Sequence, residues 1–516
     1  MRRFIAVAAS GAAIMAVTVA GAAADVGPLT RASGPSPFAD NCNVVPQTGT
    51  LYKNAEVEPF VATNPRRPRN LVAVWQQDRF SNGGAQGLLA RVSRNGGRSW
   101  TPAVSPPFSA CAGGNPRNNG DYERTSDPWV TFSPDGSAYF MSLSFDNERN
   151  NGATNAVVVA RSRDGGETWG PITTLIRDTN PRFFNDKNSI TADPTDSRYA
   201  YAVWDRLDTP DPSKPDNFTG PTYFTRTTNG GASWEPARSI FEPGQGNQTI
   251  GNQIAVLPDG TLVDVFAYII GNNLNVAVQR STDKGRTWSE PVVVDQLGTI
   301  GVVDPRDGAP VRTGDIIPDV AVDPRPGHDD VYVVWQDARF TSGRADQVAF
   351  ARSGDGGRTW SAAKRVSAPN AAQAFTASVD VDGRGNVGVS YYDFTFDTPA
   401  SIALSTDYWL TRSTNGGRTF APRQRVTPTS FNLRTAPISR GFFVGDYQGF
   451  ASTGPRSTPV FVTANDGDLT NRTDVFSATV GPPFPAAKLA GPRTAGAGRT
   501  SGRTLGQLPA GPAFAH

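Results

Sequence analysis

The sequence predicts an all-β fold, a β-propeller of four-stranded blades. Three observations predict it. An octet of the form Ser/Thr-x-Asp/Asn-x-Gly-x-Thr/Ser-Trp/Phe occurs six times, starting at Ser93, Ser162, Thr227, Ser281, Ser353 and Ser413. Self-similarity at such spacing marks a repeat architecture. Between the octets, short β-branched runs alternate with polar residues at the period of strands, not helices. The 516 residues include 53 Gly and 42 Pro, and these breakers fall at regular intervals between the apolar runs.

The elements follow in order. Residues 1–24 open on Met1-Arg2-Arg3, continue through an Ala/Val/Ile-rich run and end in Ala22-Ala23-Ala24. A basic start, an apolar middle and a small-residue end predict a cleaved secretory signal, and hence a secreted protein with no membrane anchor after cleavage. Residues 25–41 are small, polar and Pro-rich and read as a linker. The propeller is expected over 42–481. Its module runs strand, turn, strand, variable loop, strand, octet, strand. The fifth copy shows it: Asp319 to Asp323, Val331 to Trp335, Gln347 to Ala351, then the octet and a strand near Lys364 to Val366. Other copies start near Glu58, Asp127, Lys187, Gly251 and Phe375. A seventh, Gly445 to Val480, keeps three strands and lacks the octet. Asn43 to Pro46 is a spare strand that could complete it, so that first and last segments share one sheet and no edge stays open. Octet spacings of 54 to 72 residues fit seven blades, with six as the alternative. Residues 482–516, rich in Ala, Gly, Pro, Arg and Thr, read as a disordered tail.

Composition excludes several functions. A net charge of +2 without basic blocks gives no case for nucleic acid or an anionic membrane as partner. Two histidines, His328 and His516, leave no room for Ser-His-Asp or Cys-His catalysis or a His-ligated zinc. Asp380 to Gly383 and Asn465 to Asp468 carry close-spaced oxygen ligands but read as turns, so no cofactor is expected. The two cysteines, Cys42 and Cys111, predict a disulfide in an exported chain.

Within each octet the Asp or Asn can accept backbone N–H bonds across its own turn, and Gly supplies the positive φ. Asn95, Asp164, Asn229, Asp283, Asp355 and Asn415 are therefore read as structural. Chemistry is expected at a funnel mouth, where first strands start and second strands end. The second-strand ends supply Asp78-Arg79, Asp205-Arg206 and Asp337 with Arg339. The shared carboxylates Asp78, Asp205 and Asp337 read as salt-bridge partners between blades. Residues outside the repeat are the better functional candidates: Glu58, Tyr122, Glu123, Arg124, Asp186, Lys187, Arg440, Asp446 and Tyr447, with Arg182 and Arg306 on long connections.

The octets match the Asp-box, or BNR repeat, and the chain resembles the sialidase-like superfamily of β-propellers over about 440 residues. The resemblance implies a retaining glycoside hydrolase whose site holds three arginines for a substrate carboxylate, an acid/base Asp and a Tyr nucleophile activated by a Glu. Carried onto this chain, it makes Asp186 or Asp446 the acid/base and Tyr447 with Glu58 or Glu123 the nucleophile system. Arg124, Arg182, Arg440, Arg79 and Lys187 would bind substrate. The family's first arginine sits in Phe-Arg-Ile-Pro; here Glu56-Val57-Glu58-Pro59 puts Val57 in its place. Two readings follow: a monomeric secreted sialidase-like hydrolase acting on a polar or anionic glycan, or a non-catalytic propeller that binds a glycan or protein through the same mouth.

Overall fold

The computed structural model describes residues 26–481, except 44, 212, 213, 215, 216, 370 and 371. The expected signal segment and C-terminal tail lie outside them. Strands of antiparallel register dominate, and the helical elements among the described residues are four short 3-10 turns.

The strands fall into seven successive groups. The first is Leu51–Thr63, Leu71–Phe80 and Ala85–Ser93, with Val104 bridged to Ala90 as its outer member. The second is Arg124–Phe132, Ala138–Phe145, Asn155–Ser162 and Thr173–Asp178; the third is Phe183–Ala192, Ala200–Asp208, Thr222–Thr227 and Arg238–Phe241. The fourth is Asn247–Val256, Leu262–Ile270, Asn273–Ser281 and Val292–Gln296; the fifth is Asp319–Val322, Val331–Asp337, Gln347–Ser353 and Lys364–Arg365. The sixth is Ala374–Val381, Val387–Asp393, Ser405–Ser413 and Gln424–Arg425. The seventh is Gly449–Thr453, Arg456–Ala464 and Thr473–Ser477.

The strand laid on Thr473–Ser477 is Thr30–Arg31, paired as Thr30 to Ser477 and Arg31 to Phe476, and not Asn43 to Pro46. Residues 26–41 are accordingly no linker. Ala32 is fully buried in the core shared with the seventh group, Ser33 Oγ donates to Asp474 (2.6 Å), and Phe38 is buried. The disulfide of Cys42 to Cys111 (Cα–Cα 4.8 Å) ties the chain to the loop after the first group.

In five of the seven groups a bulge interrupts the first strand; the fifth and seventh show none. Register shifts occur between Val57 and Phe60, Ser126 and Trp129, Ile250 and Gln253, and Phe375 and Ser378. In each case a residue with positive φ sits inside: Glu58 (52°), Asp127 (51°), Gly251 (71°) and Thr376 (46°). The third group bulges likewise, with Lys187 at 47°.

Seven first-strand runs line one narrow cavity of about 370 Å³, among them Phe60 to Thr63, Asp319 to Val322 and Phe450 to Ser452. Apolar cores fill the gaps between neighbouring groups. Val72, Val74 and Leu88 of the first, for example, meet Val130, Phe140 and Val158 of the second. The octets fasten the same gaps. The glycine at the fifth position of each octet has φ between 71° and 97° and lies against the preceding group: Gly166 on Val72, Gly231 on Tyr139, Gly285 on Phe224 and Gly417 on Phe350. A Cβ there would fall within 2.2 to 2.7 Å of those side chains, which only glycine avoids. Gly97 of the first octet lies against Thr458 of the seventh group, and Trp100 Nε1 donates to Ser477 Oγ (3.0 Å).

Candidate functional site

The bulges build the site. A left-handed residue in mid-strand costs on the order of 1 kcal/mol or more where it is not glycine. Glu58, Asp127 and Lys187 all adopt that conformation, and it brings their side chains together. Lys187 Nζ stands 2.8 Å from Asp446 Oδ2, 3.3 Å from Asp127 Oδ1 and 3.8 Å from Glu58 Oε1. Gln76 Nε2 donates to Glu58 Oε2.

Arg312 completes the cluster from a different element. The connection between the fourth and fifth groups forms a small hairpin, Val302–Val303 with Pro310–Arg312, and its second strand pairs in parallel with Phe442–Phe443. That pairing carries the Arg312 fork onto Asp446, with Nε 2.9 Å from Oδ1 and Nη2 on Oδ2. Arg79 arrives from the end of a second strand and donates to Gln76 Oε1 (2.7 Å). Arg79 and Arg312 also share Ser439 Oγ (3.2 and 3.3 Å) and both lie over the Phe443 ring.

Above these groups opens a cavity of about 640 Å³, lined by Arg79, Asp127, Asp186, Lys187, Arg312, Arg440 and Asp446 among others. Arg440 sits at its lip, exposed, with φ 61° and no ion-pair partner among the described residues.

Burial and charge split the carboxyl groups. Burial pushes Glu58 up to about 8, against the pull of Lys187 and with Asp127 and Asp446 adding to the rise. Burial also lifts Asp186 to about 6, Lys187 opposing. Asp205 is directly opposite Asp186 on the adjacent strand. It is fully buried, and neither of its oxygens has a hydrogen bond from another residue. Burial, and then Asp186, hold it well above the usual carboxylate range. Burial acts on Asp446 in the same sense, but Lys187 and Arg312 together overcome it and hold that group ionised, well below its ordinary value. Burial lowers Arg79 to about 10, so it stays charged at neutral pH. With Glu58 and Asp205 neutral, Arg79 and Arg440 are cations of this cavity without an ion-pair partner among the described residues, and they suit an anion.

Among the residues singled out from sequence, Glu58, Arg79, Asp186, Lys187, Arg440 and Asp446 meet here. Tyr447 lies just beneath. Its ring packs on Trp129 and Phe60, and its hydroxyl donates to the Pro128 carbonyl (3.2 Å). Burial raises the phenol well above its ordinary value, with Glu58 the next contributor. Five residues are placed elsewhere. Glu123 accepts backbone N–H bonds from Asn147, Glu148 and Arg149 (2.7, 2.7 and 3.1 Å) and so holds a 3-10 turn. Arg124 is fully buried and donates to Gln47, Asn82, Gly83 and Thr48 (2.7 to 2.8 Å). Arg182 pairs with Asp208 on the surface. Tyr122 is buried in the core between the first and second groups, and Arg306 pairs with Asp397 and Asp304.

Of the shared carboxylates, Asp337 binds Arg339, which crosses to Asp295 of the fourth group (2.9 Å), and Asp78 binds Ser36 and the Asn54 N–H. Asp205 makes no such bridge. Sequence reasoning missed Arg312 and Phe443. The signal available was the Val302 to Arg312 stretch, two short apolar runs about the turn Asp307-Gly308. The acidic run at Asp382 serves its turn, accepting from the Arg384 and Asn386 N–H groups (2.8 and 3.0 Å). Asp323, His328 and Asp330 bring ligand atoms within 4.8 Å of one another, but the Arg325 fork already spans both Asp323 oxygens.

No family model matches the chain, and no curated relative does. Solved structures similar to it include a protein of unknown function from Dyadobacter fermentans, with TM-score 0.45, 15% identity, 84% of this chain and 97% of that one. A Hadza microbial sialidase gives TM-score 0.44 and 13% identity over 88% and 96% of the two chains. An α-L-arabinanase of Penicillium chrysogenum gives 0.41 and 13% over 70% and 94%.

Proposed function

We propose that the seven strand groups are the blades of a closed, sialidase-like β-propeller, and that the 640 Å³ cavity at its mouth is the active site of a secreted, monomeric glycoside hydrolase acting on an anionic glycan. The octets are then Asp-boxes clipping each blade to the one before. One observation carries the functional reading: Arg79, Arg312 and Arg440 line the same cavity as Asp186, a carboxyl poised at about 6. Guanidinium forks bind a carboxylate bidentately, and an acid with that affinity for its proton can give it to a glycosidic oxygen and take it back. Asp186 is the acid/base, and Tyr447 with Glu58 is the nucleophile system once Glu58 has given up its proton and the phenol leaves the Pro128 carbonyl. Export agrees with the Cys42–Cys111 disulfide. No helix among the described residues is long and apolar enough to cross a membrane.

The second reading, a binding propeller without turnover, is favoured by a specific feature. Val57, fully buried, fills the position of the family's first arginine, and Asp446 already occupies the Arg312 fork. A panel of fluorogenic glycosides of acidic and neutral sugars separates the two. The hydrolase reading expects turnover of an acidic-sugar glycoside that Asp186→Asn lowers by at least about 100-fold. Absence of turnover across the panel, with glycan binding retained, leaves the binding reading.

A further inference from the structure

The cavity has two unlike halves. Its floor holds Arg79, Arg312, Lys187 and their carboxylates. Its lining also has large apolar side chains: Phe145 and Phe184 from the second and third groups, and Ile250, Val302, Val311 and Ile317. The apolar lining reaches solvent at Ile300, just before the hairpin that carries Arg312, and at Val303 within it, 56% and 41% exposed. Large aliphatic side chains on a polar rim need a reason, and contiguous apolar surface beside a cavity marks a binding surface. A free sugar acid satisfies the floor but leaves this apolar lining wet.

We infer that the ligand of this cavity is an amphiphilic anion: an acidic head on the arginine floor, joined to an alkyl or aryl group that runs along the Val302–Arg312 hairpin and leaves past Ile300 and Val303. The inference rests on the reading of this cavity as the ligand site and names the substrate class, a hydrophobic glycoside of an acidic sugar. The same chemistry is offered by an alkyl anion without any sugar, and the experiment distinguishes the two.

Calorimetric titration of the whole protein, below micellar concentrations, compares n-octyl β-D-glucuronide, D-glucuronate, n-octyl β-D-glucoside and octyl sulfate. Burying two or three methylenes makes octyl glucuronide bind about 30-fold tighter than glucuronate, and loss of the charge weakens octyl glucoside by a similar factor. The double variant Ile300→Asn, Val303→Asn, on exposed positions, lowers octyl glucuronide affinity at least about threefold and leaves glucuronate unchanged. Equal affinities for glucuronate and octyl glucuronide overturn the inference, as do equal affinities for the two octyl glycosides. An unchanged double variant overturns the exit route. If octyl sulfate matches octyl glucuronide, the amphiphilic anion stands and the glycan reading falls. If none of the four binds, both fall.

Discussion

Asp264 and Gln279 are cross-strand partners in the fourth group, both fully buried. Gln279 Nε2 donates to Asp264 Oδ2 (2.9 Å), while Asp264 Oδ1 and Gln279 Oε1 have no partner. Burial pushes the carboxyl up to about 7. An acid raised on folding contributes stability that is complete below its unfolded value near 4 and is lost as pH rises through about 7. Asp264→Asn can still accept from Gln279 Nε2 and cannot ionise. It should therefore be more stable than the parent by ~1–3 kcal/mol at pH 8.5 and about equal at pH 4.5, read from urea denaturation at the two pH values. The same logic acts at the cavity floor. Glu58 ionises near 8 and Asp186 near 6, so raising pH from 7.5 to 9 adds a negative charge beside the anion site chiefly at Glu58, and anion affinity should fall over that range. Glu58→Gln should flatten the dependence in a binding titration; a persistent slope there would assign the titration to another group.

At the scale of the element, the six octets share one geometry with one internal difference. The first hydroxyl accepts the N–H of the glycine at the fifth position, as Ser353 Oγ does from Gly357 (2.8 Å), and the Asp or Asn oxygen accepts the N–H four residues on, as Asp355 does from Thr359 (2.9 Å). In the Asp octets the later hydroxyl donates to the carboxylate, Thr359 to Asp355 at 2.6 Å and Thr287 to Asp283 at 2.7 Å. In the Asn octets it accepts from the amide, Ser99 from Asn95 and Thr419 from Asn415 at 2.8 Å each. A hydroxyl can turn to serve either, so Asp355→Asn should change stability by less than ~0.5 kcal/mol, whereas Asp355→Ala should cost ~1–2 kcal/mol by stranding the turn's donors. The two substitutions are compared by thermal denaturation. The carboxylate is depressed to about 2 against burial by its hydrogen bonds, so its contribution is present above the unfolded value and fades only as pH falls from about 4 to 2. This element was legible in the sequence because every partner lies within eight residues. The bulge was not. Glu58, Asp127 and Lys187 look like ordinary polar residues, and nothing local announces a left-handed conformation without glycine. Only packing between neighbouring first strands imposes it, and that packing carries the site.

On the scale of the whole molecule, strand periodicity made the modules legible, including the seventh, which has no octet. The closing strand was not, since Thr30–Arg31 is two residues long and carries no pattern, whereas Asn43 to Pro46 does. Arg312 was hidden for a related reason: its hairpin is fixed by a partner, Phe442–Phe443, that lies over 120 residues away. The contacts at the ends of the chain also make closure testable. Ala32 N–H of the N-terminal segment donates to the Val475 carbonyl (2.7 Å), while Ala55 pairs with Thr473 and Trp100 reaches Ser477, so the last group is held both by the N-terminal segment and by the first group. Ala32→Asp puts an unpaired carboxylate in a fully buried position, at a cost of ~3 kcal/mol or more. In a closed ring each blade is supported on both flanks, so loss of one junction exposes two edges and weakens every other contact. The variant should then unfold in one transition at lower temperature, by circular dichroism and tryptophan fluorescence alike, with Trp100→Ala doing the same. In an open stack the seventh group alone would fray. A split transition, with the fluorescence of Trp204 and Trp335 in the middle groups unaffected, would therefore refute the ring.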